Sequence, residues 1–314
     1  MILTPEILAI FILNAIFLAF GTVAFILSVK IYFGWDLNSN KQKQYKLEKN
    51  SYLTATIIKY IFAIKLPLFL FFIFTLDKVS TVLTGAMCAA GVVDATEFGM
   101  YLFILKIINL YLFGFWLILH KLDISNEHLP YTKLKFGFFI LAFLVFLTEL
   151  VLETIMFASI DPAVMVSCCG TLYSATSASY ISTLFQIEPL VLLGLFYGNF
   201  ILLIIFYFYK NSYIYAILNI LFLIIAIISL ISIFGTYIYE LPTHHCPFCF
   251  LQKDYYYVGY LIYSTLFAGT FFGLATPFFK KANYYKISIL FITFYTFIVT
   301  AYPMIYYIKN GVWL

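Results

Sequence analysis

The chain has 314 residues, 64% of them hydrophobic and only 10% charged, with a mean hydropathy of +1.01. Soluble domains carry about 25% charged residues, so this chain lacks the polar surface to cover a water-soluble globule and takes lipid as its solvent. The net charge of +4 comes from 18 lysines set against 14 acids, with no arginine. Most of these lysines sit in loops between apolar runs, and they form no nucleic-acid-binding stripe.

Crossing a bilayer takes roughly 20 apolar residues in a helix, and eight segments qualify. The first, 6–33, carries Glu6, has no basic leader, and outruns the roughly 7–15-residue apolar core of a signal peptide. It reads as a span, followed by a lysine-rich linker over 34–54. The second span, 55–76, holds Lys65 near its middle and leads to Met87-Cys88-Ala89-Ala90-Gly91. The third, 100–119, holds Lys106. The fourth, 136–157, holds Glu149 and Glu153, which a spacing of four places on one helical face. Ser167-Cys168-Cys169-Gly170 follows. Spans 187–208 and 213–236 are joined by a tight turn at Lys210, and then comes His244-His245-Cys246-Pro247-Phe248-Cys249. Spans 257–278 and 287–307 complete an all-α polytopic bundle, a single transmembrane domain over residues 1–314.

Lysines orient it. Lys30, Lys41, Lys43, Lys46, Lys49, Lys59, Lys121, Lys133, Lys135, Lys210, Lys280, Lys281 and Lys286 all fall on one side. Only Lys78, Lys253 and Lys309 fall on the other, while Lys65 and Lys106 lie within spans. Lysine-rich loops stay cytoplasmic, so both termini and all five cysteines are expected outside, in a bacterial or archaeal plasma membrane. Disulfides persist in that compartment. Cys88, Cys168 and Cys246 are also spaced by 80 and 78 residues. Ala95-Thr96 echoes Ala175-Thr176, and Ser182-Thr183-Leu184-Phe185 echoes Ser264-Thr265-Leu266-Phe267, a faint hairpin repeat whose cysteine segments would converge.

Most of the chemistry lies in Cys246-Pro247-Phe248-Cys249. Two thiols at this spacing close a disulfide, hold one metal, or shuttle between the two redox states. Proline suits the first position of a helix. A helix starting at Pro247 would place Cys246 at its positive end and favour the thiolate, with His244 or His245 adding to the effect. Cys246 is then the candidate nucleophile and Cys249 its resolving partner. At these four positions the motif resembles the Cys-Pro-aromatic-Cys centre of glutaredoxin-like proteins, without their soluble α/β domain. The layout, an outward cysteine pair ahead of a membrane helix, is similar to that of quinone-linked thiol oxidases of the vitamin K epoxide reductase type, which use a smaller helical core. Cys168 and Cys169 are vicinal and suit a strained disulfide or a soft metal. Cys88 is the odd fifth thiol, to be read as reactive or metal-bound.

A charge at the bilayer centre costs about 2.5–3.5 kcal/mol. Glu149, Glu153, Lys106 and Lys65 are therefore a candidate buried cluster that relays protons. Internal pairing is expected for Lys65 and Glu149. For Glu153 and Lys106 the competing expectation is snorkelling to the outer interface. No histidine lies in a predicted span, which disfavours a membrane dihaem cytochrome, and no Gly-rich phosphate loop is present.

Three functions fit these residues. The first is a thiol–disulfide oxidoreductase using Cys246, Cys249, Cys168, Cys169 and Cys88, with a quinone as electron partner. The second is a soft-metal protein of the copper type, with His244, His245, Cys246 and Cys249 as ligands. The third is a non-catalytic subunit with disulfide-stapled outer loops. The expected partners are the lipid bilayer and an extracytoplasmic thiol or metal-carrier protein.

Overall fold

The computed structural model describes residues 4–36, 42–126, 128–162, 165–166, 187–279 and 282–314. Over these residues it is all-helical, with eight helices long and apolar enough to span a membrane, as the hydropathy predicts. Their composition and length make the chain an integral membrane protein. It divides into two units, residues 1–84 with 92–165, and residues 85–91 with 166–314. A short helix, α3 (Ala89–Asp94), carries the boundary.

The first unit is a ring of four helices. α1 (Pro5–Gly34) packs on α2 (Gln42–Ser80) and α5 (Thr132–Ser159), and α4 (Gly99–Ile124) packs on α2 and α5. α1 starts where Thr4 Oγ1 accepts the Ile7 N–H at 3.4 Å and Pro5 supplies its preset φ. α2 begins well before the expected 55, so most of the predicted linker is helix. Residues 42–54 contain no proline or glycine, and Gln44, Leu47 and Ser51 recur at helical spacing and are buried. At about 1.5 Å per residue the 39-residue α2 is roughly 58 Å long, far more than a ~30 Å hydrocarbon core. Its lysine-bearing first turns therefore have length to spare beyond the bilayer. Inside the ring, Phe62 stacks on Phe113 at 4.3 Å and meets Trp116 edge-on at 5.5 Å. The indole N–H of Trp116 donates to the Lys135 carbonyl at 3.0 Å, the partner a buried tryptophan requires. Leu8, Phe20 and Leu141 point outward and are about half exposed, as side chains bathed in lipid would be.

The second unit is another four-helix ring of α6 (Pro189–Tyr209), α7 (Ser212–Tyr239), α8 (Val258–Ala275) and α9 (Ala282–Asn310). Lys210, at φ 53°, ends α6 in the left-handed conformation that permits a tight turn. Phe196, Phe222, Phe234 and Tyr295 fill the centre. α7 and α8 approach closely because residue 273 is glycine, where a Cβ would collide with the Asn219 side chain. Near its end α7 loosens into one π-helical turn, Leu230–Phe234.

Candidate functional site

Beyond α7 the chain reverses at Glu240, at φ 52°, and folds the Cys-x-x-Cys segment back over the helix ends. Tyr239 is the anchor. Its hydroxyl donates to the Cys246 carbonyl and accepts the Phe250 N–H at 3.1 Å, closing the loop on itself. Tyr263 of α8 donates to the Pro247 carbonyl at 2.7 Å. Pro247 therefore does not start a helix. A 3-10 turn, Cys249–Leu251, is followed by extended Gln252, and α8 begins only at Val258. The tyrosine bonds hold this segment in a turn, so Cys246 caps no helix. One amide does reach it, the Phe248 N–H lying 3.4 Å from Cys246 Sγ.

Cys88 comes from the other segment of this unit. Gln252 Nε2 donates to the Met87 carbonyl at 3.1 Å and clips that segment beside the loop. Cys88 Sγ lies 3.4 Å from Cys246 Sγ, and the sulfurs of Cys88, Cys246 and Cys249 all lie within 4.8 Å of one another. Among the described residues, no disulfide joins any of the three. They are buried, with 0%, 1% and 6% exposure respectively. Burial, with the Cys249 sulfur and the Asp254 carboxylate next in effect, raises the Tyr255 phenol above its ordinary range.

This set fits one soft metal ion. Zinc–sulfur bonds are about 2.3 Å long, so three sulfurs around one ion stand about 4 Å apart, within the observed spread. Thiolates suit Cu(I) and zinc. The histidines are placed differently from the expected ligand set. His245 Nδ1 lies 3.1 Å from the Ile231 carbonyl in the π-helical turn, and His244 packs edge-on against Tyr239 at 4.4 Å. Neither joins the three sulfurs. Cys168 and Cys169 lie outside the described residues, so the repeat that would bring all three segments together rests on sequence.

The expected charge cluster forms inside the first unit. Lys106 lies 2.8 Å from Glu149 and 3.0 Å from Glu153, and Lys65 lies 3.3 Å from Glu149. All four are buried, Glu153 at 1% exposure and Lys106 at 6%, so these two do not snorkel. The reason is that each finds an opposite charge at depth. Two amides missed in the sequence complete the cluster. Asn14 donates to Glu153 at 2.8 Å and accepts from Lys65 at 2.9 Å, and Asn109 donates to Glu149 at 2.5 Å. Lone asparagines inside apolar spans were the available signal, since hydrocarbon offers an amide no other partner. Tyr239 carried no such signal in a chain with 27 tyrosines.

Compared with protein-family models, with curated proteins and with solved structures, the chain shows no match.

Proposed function

We propose that this membrane protein binds one soft metal ion, of the Cu(I) type, through Cys88, Cys246 and Cys249. The observation that carries the reading is the convergence of three buried sulfurs from two distant segments, 158 residues apart for the closest pair. Dithiol chemistry needs only two sulfurs, and exchange with a protein disulfide needs a sulfur that a partner can reach in line. Buried sulfurs obstruct a protein and admit an ion. The lysine distribution supports an outward-facing centre in a plasma membrane, where an extracytoplasmic carrier would deliver or collect the metal.

The test is metal retention by the full chain purified without oxygen and loaded with Cu(I) against a competing chelator. One equivalent is expected to stay bound, and to be lost in Cys88→Ser, Cys246→Ser and Cys249→Ser alike. Full retention in Cys88→Ser, or no retention by the native chain, overturns the proposal.

The 3.4 Å approach of Cys88 to Cys246 favours a second reading, thiol redox. Two thiols would lose two protons and two electrons to a quinone and join as a disulfide. A metal-free dithiol titrating between roughly −120 and −270 mV would select it.

A further inference from the structure

In the second unit, α6 is the least buried of the eight spanning helices. Its two glycines, Gly194 and Gly198, stand four residues apart. Glycine weakens a helix relative to alanine, so a helical glycine calls for a reason. Elsewhere in this unit the reason is internal packing, since a Cβ at Gly259, Gly269 or Gly273 would run into Phe250, Ile292 or Asn219. At Gly194 and Gly198 a Cβ would meet nothing within 4 Å among the described residues. These two glycines serve no contact inside the chain. The cysteines and the proposed metal play no part here.

Two glycines at this spacing open a shallow groove in which a second helix can approach backbone to backbone. Glycine pairs favour a crossing of about −40°, in which rows of residues spaced by four interlock. The row 194, 198 and 202 then forms the floor, and the row 191, 195 and 199 forms one wall. Val191, Leu195 and Leu202 are exposed. Asn199 closes that wall beside Gly198.

This asparagine selects the occupant. It is the middle residue of the 21 in α6, about 15 Å from either end at 1.5 Å per residue, and so lies at the centre of a ~30 Å hydrocarbon core. Its side chain is 6% exposed. Its Oδ1 is sealed from the surface without a hydrogen-bond partner, and its Nδ2, also unbonded among the described residues, is not sealed in that way. At this depth neither water nor lipid can bond an amide, so an acyl chain lying in the groove leaves Asn199 unsatisfied. A second α6 crossing at Gly198 brings its own Asn199 to the same depth by two-fold symmetry. One amide can then donate and the other accept, because rotation about χ2 exchanges oxygen and nitrogen.

We propose that the face of α6 formed by Gly194, Gly198 and Asn199 is a self-association surface, and that its partner is the same face of a second copy of this chain. The glycines let the two backbones meet, and the paired asparagines fix their register.

Single-molecule photobleaching of the singly labelled full chain in lipid vesicles, over a range of protein-to-lipid ratios, reads this equilibrium. Two-step bleaching is expected for the native chain, giving way to one step on dilution. Gly198→Leu adds bulk only where the isolated chain has open space, so its helical spectrum is unchanged and the dimer is lost. Asn199→Leu weakens association by about 3- to 20-fold, the range for interhelical hydrogen bonds in a bilayer; this variant serves if the glycine variant does not assemble. Val23→Leu, on the lipid-facing side of α1, leaves association as it was. A native chain that bleaches in one step at every ratio overturns the proposal. So does a dimer that survives Gly198→Leu, or one that Asn199→Leu does not weaken.

Discussion

Glu149→Gln tests whether the membrane charges act as one balanced group. Glu149 is 3% exposed and is held by Lys106 at 2.8 Å, Lys65 at 3.3 Å and Asn109 at 2.5 Å. The substitution keeps the shape and removes the charge, leaving two ammonium groups with Glu153 alone. Breaking a buried pair by neutralising one partner costs about 3–5 kcal/mol, and that loss is expected here. Adding Lys65→Met restores the balance, so the double variant should recover part of it, with a coupling of about 0.5–3 kcal/mol. The chain supplies its own control in Lys309–Glu240, a 3.1 Å pair with 61% and 53% exposure. Exposed pairs contribute roughly 0–1 kcal/mol, so Glu240→Gln should be nearly silent. Reversible unfolding in mixed micelles, titrated with a denaturing detergent, measures five chains: the native one, Glu149→Gln, Lys65→Met, the double variant and Glu240→Gln. Glu149→Gln no more costly than Glu240→Gln, or additive losses in the double variant, would refute the reasoning.

Tyr239→Phe removes the hydroxyl that ties Cys246 to Phe250 and should weaken Cu(I) retention by about 10-fold, the lower end for losing a group that orients ligands, with helix content unchanged by circular dichroism. Gly259→Ala drives a methyl into Phe250 and Leu251, beside Cys249; it should lower metal occupancy in the same chelator competition, by displacing one sulfur. Gly273→Ala forces the α7–α8 contact apart at Asn219 and should destabilise the chain by about 1–3 kcal/mol, recovered in part by Asn219→Ala in the same unfolding assay. In a cysteine-free background, Tyr256→Cys, at a site 93% exposed, should react with an impermeant maleimide on intact cells, and Tyr45→Cys, at a site 72% exposed, should not. The reverse pattern would invert the proposed orientation.

Residues decided the architecture before any packing was known. Hydrocarbon leaves a backbone no alternative to satisfying its own hydrogen bonds, so eight apolar runs had to become eight helices. Lys65 and Glu149 announced themselves in the same way, because charges that deep need partners. Chain order could not show which groups would meet. The sulfur cluster joins Cys88 to a loop 158 residues away, and it excludes the two histidines adjacent to Cys246 in sequence. That choice was made by Tyr239, Tyr263 and Gln252, whose bonds to backbone carbonyls bend the segment into a turn where Pro247 alone suggested a helix. Likewise Glu153 and Lys106 stayed inside because the ring of α1, α2, α4 and α5 set opposite charges and Asn14 within reach. Hydropathy is a property of each segment by itself. A site is made of distances between segments, and those exist only once the helices have packed.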